Sequence, residues 1–161
     1  MLNKRYVQPT RREGMKIDET SLAIIKYLRE GRKPFQKIAE DLSIAENTVR
    51  ARVNRLIEKG VLAVTGLVDP EAIPGHRLVL VGIKLGSMDL VRKGEEFSRL
   101  KGVVSVCVVT GRYDLILTVL LNDAYDLLQF YTEEVSRIQE VQSAETFVVY
   151  KTHNLKVPYI L

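Results

Sequence analysis

Residues 46–60 read ENTVRARVNRLIEKG, and this stretch decides the fold of the N-terminal part of the chain. At about 100° per residue along a helix, its apolar side chains fall on one side, namely Val49, Val53, Leu56 and Ile57. Small, amide and arginine side chains occupy the other side and its flanks, where they can enter a major groove and reach base edges and phosphates. The pattern predicts a DNA-recognition helix over residues 46–59, with candidate contacts at Asn47, Thr48, Arg50, Ala51, Arg52, Asn54 and Arg55. A solvated polar face on a small helical bundle is the alternative interpretation.

Two shorter helical patterns precede this helix. Asp18 is a candidate N-cap for a helix over residues 19–30, whose predicted apolar face consists of Leu22, Ile24, Ile25 and Leu28. A second helix is predicted over residues 35–42, and the three residues 43–45 connect it to the recognition helix. Three helices with a tight second turn are typical of a helix-turn-helix. Gly60 ends the third helix, and the strand-like residues 61–68 complete the prediction of a winged helix-turn-helix.

Charge is distributed unevenly along the chain. Residues 1–60 carry 14 Lys and Arg against 8 Asp and Glu, a net charge of +6, whereas residues 61–161 carry 10 against 12, a net charge of −2. A basic N-terminal half predicts a polyanionic partner for that half alone, and double-stranded DNA is the partner that the recognition helix indicates.

The second half of the chain alternates strand and helix patterns. Strands are predicted over residues 77–85, 103–110, 113–121 and 143–151, with a hairpin turn at Gly111-Arg112. Ser87 and Asp123 are candidate caps for helices that end near residues 101 and 139. The order βαββαβ predicts a ferredoxin-like domain with an antiparallel sheet, both helices on one face, and an open apolar face that favours a second subunit.

Several classes of protein do not fit the composition. The single Cys107 lies in an apolar run and is predicted to be a buried, inert thiol, and the two histidines, His76 and His153, are too far apart to suggest a metal site. No apolar run reaches the roughly 20 residues of a membrane span. We therefore expect a cytoplasmic protein without a cofactor or a membrane partner. The basic residues 1–14 are either an arm that touches DNA or an upstream start, because Met15 directly precedes the first helix.

Several motifs, in their order and spacing, resemble the leucine-responsive/asparagine-synthesis regulator (Lrp/AsnC) family. They are IAEDL at residues 38–42, NTVRARVNRL at 47–56, EKGVL at 58–62, LVDP at 67–70, VTGRYD at 109–114 and ETFVV at 145–149. The resemblance covers roughly residues 16–155. It implies an α+β chain that joins a winged helix-turn-helix to a ferredoxin-like, RAM-type domain. The predicted organisation is a basic extension over residues 1–15, a DNA-binding domain over 16–62, a linker strand over 63–75 and the second domain over 76–161.

The resemblance also implies how such a regulator works. Family members form dimers through the C-terminal domain, often assemble into tetramers, octamers or larger discs, and bind amino acids or related metabolites between subunits. The matching loop implies effector contacts by Gly111, Arg112, Tyr113, Asp114 and Thr146. Two positions depart from the family pattern: Ala45 replaces a capping Ser, and Ala144 replaces a Thr near the ligand, which puts the identity of the effector in doubt.

The roles within this loop have alternatives. Backbone N–H groups near Gly111 and Arg112 are candidate receivers for a ligand carboxylate, and Asp114 is a candidate receiver for its ammonium group. Asp114 is equally suited to bonding the hairpin backbone, and Tyr113 to filling a dimer interface. Arg112 fits either an acidic ligand or an acid of a neighbouring subunit.

Two other functions compete with the regulator interpretation. One is an oligomeric metabolite-binding module without DNA binding, which predicts no salt-dependent affinity for a duplex. The other is an enzyme, because some haem-pathway decarboxylases resemble this family. Those enzymes need a strand segment that bears His and Arg, and the matching residues 105–110 read SVCVVT. We therefore expect no enzymatic activity.

Overall fold

The structure is a computed structural model, and it describes residues 17–29, 31 and 33–161. The predicted N-terminal extension lies outside the described residues. The chain divides into two compact units, one ending at Val64 and the other beginning at Thr65. No helix among the described residues combines the length and the apolar character needed to cross a membrane.

The first unit contains three helices, α1 (Glu19–Leu28), α2 (Phe35–Leu42) and α3 (Glu46–Glu58). Their facing sides bury Ile24, Ile38, Ala39, Val49, Val53 and Leu56. Asp18 caps α1, as predicted, because its Oδ1 accepts the backbone N–H of Ser21 at 2.8 Å. Ala45 is the N-cap residue of α3, and no side chain caps the start of this helix, as the alanine predicted. The helix-turn-helix prediction is therefore confirmed in its elements.

Two side chains predicted to face this core do not. Leu22 is 48% exposed and Ile57 is 42% exposed, so the prediction that they point inward is wrong. Each of these side chains lies at the edge of its helix's apolar face. In a unit of only three helices, the neighbouring helices bury the centre of each apolar face and leave its edge exposed.

The strand predicted over residues 61–68 is mostly absent. Only Leu67–Val68 forms a strand, β1, and it pairs with a strand at the other end of the chain, β6 (Val157–Pro158), which was not predicted. Within the described residues, 61–66 form no strand. A strand requires a neighbouring strand as the partner of its backbone N–H and C=O groups. The N–H groups of Val61 and Leu62 instead donate to the Leu56 carbonyl at the end of α3.

The second unit contains the predicted βαββαβ order. Its elements are β2 (Arg77–Leu85), α4 (Leu90–Ser98), β3 (Val103–Val108), β4 (Leu115–Leu121), a helical segment beginning with α5 (Leu127–Gln129), and β5 (Val141–Val148). The antiparallel sheet has the order β3-β4-β2-β5. Alternate residues of β2 and β4 pack against Phe97, Tyr125, Phe130 and Val135, so both helices cover one face. The α+β class with a ferredoxin-like second domain is confirmed.

The predicted helix starts in this unit are wrong, by two residues for α4 and by three residues for α5. Asp89 precedes α4, and the Ser87 hydroxyl accepts the backbone N–H of Asp89 instead of capping the helix. Asp126 caps α5 in a reciprocal pair with Gln129, because residues 122–125 form a closed turn that contains Asp123. The segment then widens into a π turn over Phe130–Glu134 and tightens into a 3-10 turn over Val135–Arg137, so it is not the single long helix predicted.

Cys107 is exposed, so the prediction of a buried thiol is wrong. It lies on β3, an edge strand, where it pairs with Ile116. Its neighbour Val106 pairs with the buried Leu117, which packs under the helices. Side chains alternate along a strand, so Cys107 points to the open face of the sheet.

Candidate DNA interface and ligand-binding loop

The outward side of α3 presents the predicted DNA contacts. Asn47, Thr48, Arg50, Ala51, Asn54 and Arg55 are exposed, and Arg52 is half-buried. A groove beside the helix is lined by residues of α3 and by the start of α1, namely Asp18, Ser21, Asn47, Thr48, Ala51, Arg52 and Arg55. The groove therefore brings together five of the seven predicted contacts and one acidic side chain, that of Asp18, whereas Arg50 and Asn54 lie outside its lining.

The three arginines of α3 differ in what holds them. Arg50 donates to Glu46 Oε1 at 2.6 Å, one turn earlier, and its guanidinium lies 5.4 Å from the centre of the Phe35 ring. Arg52 bonds both carboxylate oxygens of Asp18, at 2.7 and 2.6 Å. Arg55 has no ion pair within the described part of the chain. Among the three arginines of α3, Arg55 is therefore the one whose guanidinium is not bound to a carboxylate in the described structure.

The pairing of Arg52 with Asp18 was not predicted, because from the sequence Asp18 is a candidate for a helix cap only. The hydrogen bond from Arg52, followed by those from Ser21, lowers the pKa of Asp18 far below its usual range. The Asp18 side chain is half exposed. No local pattern could have shown this contact, because the two residues are 34 positions apart and both α1 and α2 lie between them.

The loop between β3 and β4 is wider than the predicted two-residue turn. Val109 N–H donates to the Asp114 carbonyl at 3.0 Å, and Asp114 N–H donates to the Ile83 carbonyl at 2.9 Å. Residues 110–113 project beyond these bonds. Gly111 has a φ of 124°, a conformation that side chains disfavour, and open space surrounds the position of a Cβ there.

Asp114 fastens this loop to β2. Its Oδ2 accepts the backbone N–H of Leu85 at 2.8 Å, and its Oδ1 accepts Lys84 Nζ at 2.9 Å. The backbone bond from Leu85, and then the ammonium of Lys84, lower the pKa of Asp114. A lowered pKa means that the carboxylate stabilises the fold at neutral pH and loses that effect as the pH falls through the lowered value. The carboxylate therefore bonds the neighbouring strand and Lys84, and does not bond its own hairpin turn.

Tyr113 lies flat on the open face of the sheet. Its ring occupies the space over Gly82, where a Cβ would come within 2.8 Å of three ring carbons. The phenol donates to Glu145 Oε2, and Arg112 Nη2 lies 2.9 Å from the same oxygen. Phe147 meets the Tyr113 ring edge to face, with the ring centres 6.1 Å apart. Gly82 and Glu145 were not predicted as parts of this cluster, because they lie on other strands, β2 and β5.

Thr146 lies apart from that cluster. It pairs with Val81, whose side chain belongs to the core under the helices, and its Oγ1 is 2.8 Å from the hydroxyl of Tyr131. Tyr113 and Glu145 lie on the opposite face. The structure therefore brings Arg112 and Tyr113 together, fastens Asp114 beside them, and places Thr146 on the other side of the sheet.

Comparison with known proteins agrees with this architecture. Residues 17–63 match a family model for winged helix-turn-helix DNA-binding domains, and residues 78–157 match a model for the Lrp/AsnC ligand-binding domain. A relative in Pyrococcus abyssi, an uncharacterized HTH-type transcriptional regulator, is 31% identical over 137 residues, which are 84% of this chain and 87% of the relative.

Two solved structures share the fold. AsnC of E. coli superposes with a TM-score of 0.66 at 22% identity, covering 88% of this chain and 97% of AsnC. A transcriptional regulator of Neisseria meningitidis, solved as a complex with L-Met, has a TM-score of 0.64 at 20% identity, covering 91% of this chain and 96% of that regulator.

A helix-turn-helix with an exposed polar recognition helix, followed by a ligand-binding ferredoxin-like domain, defines a DNA-binding transcription regulator that responds to a small molecule. The chain belongs to the Lrp/AsnC family of transcription regulators.

Proposed function

We propose that this regulator binds its operators through the exposed face of α3 and that an amino acid or a related metabolite, held by the C-terminal units, sets its affinity for DNA. The observation that supports the first part is the side chain set of α3, in which exposed amide and arginine groups stand opposite a fully buried apolar stripe. Amides and arginines are the side chains that read adenine and guanine edges. We propose no catalytic role and no cofactor beside the effector, and a cytoplasmic location, where DNA is available.

The direct test is a titration of the purified protein with duplex fragments selected from its own genome. A regulator that neutralises several phosphates should lose affinity steeply with salt, with a slope of about −0.9 per phosphate contact in a plot of log K against log salt concentration. If neither a selected nor a random duplex bound at low ionic strength, the DNA-binding role would be wrong. The oligomeric metabolite-binding module would then remain.

Replacing Arg55 by Ala should weaken binding to a selected duplex by about 1–3 kcal/mol, the usual cost of losing a base contact. Arg55 is chosen because Arg50 and Arg52 already bond carboxylates of the protein. Fluorescence anisotropy with a labelled duplex measures the change. Arg137→Ala is the matched control, since Arg137 is also exposed but lies in the second unit, and the affinity of this variant should equal that of the wild type. Equal affinities for all three proteins would exclude Arg55 as a reader.

For the effector we propose an amino acid bound at the loop of Gly111, Arg112, Tyr113 and Asp114, between subunits of a dimer or a larger assembly. The open sheet face beside the loop carries the half-exposed Phe147 and the Arg112–Glu145 ion pair, so both an apolar surface and charges of both signs are available to a zwitterion or to a second subunit. Thr146 belongs to the proposal only if a subunit neighbour reaches the opposite face. A ligand changes DNA binding only if it prefers one assembly state over another.

Asp114→Ala should abolish the effect of amino acids on DNA affinity while basal DNA binding persists. The substitution removes the two side-chain bonds from Asp114 to β2, and with them the carboxylate proposed to receive the ligand ammonium, while the backbone bond from Asp114 N–H to Ile83 remains. Anisotropy titrations with and without each of the twenty amino acids measure the response. Asp123→Ala, an exposed aspartate of the same unit outside the loop, should respond like the wild type. A response that survives in Asp114→Ala would place the sensing site elsewhere.

A further inference from the structure

Arg52 and Asp18 connect two helices of the DNA-binding unit. Arg52 Nη1 bonds Asp18 Oδ1 at 2.7 Å, Asp18 Oδ2 at 2.6 Å and the Ser21 hydroxyl at 3.0 Å. Arg52 lies in the middle of α3, and Asp18 and Ser21 form the first turn of α1. These three bonds therefore fix the angular position of α3 against α1 at the level of the groove.

The other acid–arginine pair of α3 does not do this. Glu46 and Arg50 lie one turn apart on the same helix, so their bond joins α3 only to itself. Both pairs have an N–O distance of 2.6 Å, and the side chains of Arg50 and Arg52 are 55% and 33% exposed. An exposed ion pair adds little stability wherever it lies. A pair within one helix cannot orient that helix against another, whereas a pair between two helices restrains their relative rotation.

The charges of the groove indicate which role Arg52 has. Asp18 is the acidic side chain among the residues that line it. If Arg52 turned toward a phosphate, the Asp18 carboxylate would face DNA without a counter-charge, and like charges repel. The same carboxylate also accepts the backbone N–H of Ser21 as the N-cap of α1, so this N–H is not available to a DNA phosphate.

We propose that Arg52 is a positioning residue, held by Asp18 and Ser21, which orients the reading face of α3 and does not itself contact DNA. The sequence pattern grouped Arg52 with the candidate contacts. The geometry separates it from Asn47, Thr48, Ala51 and Arg55, which line the same groove without a carboxylate partner in the described structure.

Asp18→Asn gives the sharpest test, because the two possible roles of Arg52 predict opposite results. Asn keeps the N-cap bond to Ser21 and removes the charge, so this variant should fold. If Arg52 positions α3, affinity for a genome-selected duplex should fall by roughly tenfold, the usual effect of losing a charge-assisted bond, even though an acid has been removed from a DNA-facing groove. The ratio of affinities for the selected and a random duplex should fall as well, which a loss of folded protein alone would not cause.

Arg52→Ala should have the same effects, and the double variant Asp18→Asn/Arg52→Ala should be no weaker than either single variant, because both remove one interaction. The salt dependence of binding should stay that of the wild type. Glu46→Gln is the matched control, because it removes the carboxylate that pairs with Arg50 on the same helix. The affinity of this variant for the selected duplex should be unchanged or slightly higher.

Two outcomes would overturn the proposal. If Asp18→Asn tightened binding and Arg52→Ala lowered the salt slope by about 0.9, Arg52 would be a phosphate contact that Asp18 masks. If both single variants bound the selected duplex as the wild type does, the contact between the helices would have no role in recognition. Either result leaves the DNA-binding function itself intact, since that function is tested by the titration of the unmodified protein.

Discussion

Val53→Asp should abolish DNA binding while the C-terminal unit stays folded. Val53 is 2% exposed and packs with Ile24, Ile38, Ala39 and Val49. A carboxylate there has no cation within the core, and an uncompensated buried charge costs about 3–5 kcal/mol, a large part of the stability of a small domain. We expect the three-helix unit to unfold and the affinity for a selected duplex to fall at least a hundredfold, because about 3 kcal/mol already corresponds to that factor.

Anisotropy titration measures the binding, and hydrogen exchange measures which unit has unfolded. Amides of α1, α2 and α3 should lose protection, whereas those of β2 and β4 should keep it, since the two units have separate cores. Asn54→Asp is the matched control, because it places the same charge one residue further along on the exposed side. It should retain helical protection. Protected α3 amides in Val53→Asp would contradict the prediction.

Phe97→Ala should cost the C-terminal unit about 3–5 kcal/mol of unfolding free energy, the usual effect of removing a fully buried aromatic ring. Phe97 lies on α4, is completely buried, and packs against the sheet side chains Val81, Leu117 and their neighbours. Little in the surroundings can collapse into the space, because the facing strands are held by a continuous ladder of backbone bonds.

Urea unfolding, followed by the far-UV signal and by tyrosine fluorescence, measures this loss. Val91→Ala on the same helix is the control, because Val91 is 67% exposed and its truncation should change stability by less than about 0.5 kcal/mol. Similar losses in the two variants would show that α4 does not pack on the sheet through Phe97.

Local periodicity accounts for what was predicted correctly. The helix Phe35–Leu42 and the strand Arg77–Leu85 have the predicted bounds. The apolar residues of the helix repeat with the helical period, and the strand is a run rich in Val, Leu and Ile that Gly86 follows. The βαββαβ order followed from the same signals, and the family resemblance from motifs contained within these elements.

The errors arose where neighbouring residues carry equal local signals. Ser87 and Asp89 are both good caps, as are Asp123 and Asp126, and the choice between the last two depends on the closed turn of residues 122–125. The pairing of Leu67–Val68 with Val157–Pro158 joins segments from distant parts of the chain, which no local pattern reports.

The sequence by itself determined the three N-terminal helices, the βαββαβ order of the second unit, the basic N-terminal half and the family, because these depend on residues a few positions apart. Only the tertiary structure decided the partners of the candidate side chains. Arg52 bonds Asp18, Tyr113 packs over Gly82 and bonds Glu145, and Asp114 bonds Leu85. Thr146 lies on the opposite face of the sheet, where it bonds Tyr131. The reason is that bonds between elements depend on how helices and strands pack and in which register they pair, and those arrangements are set by the whole core.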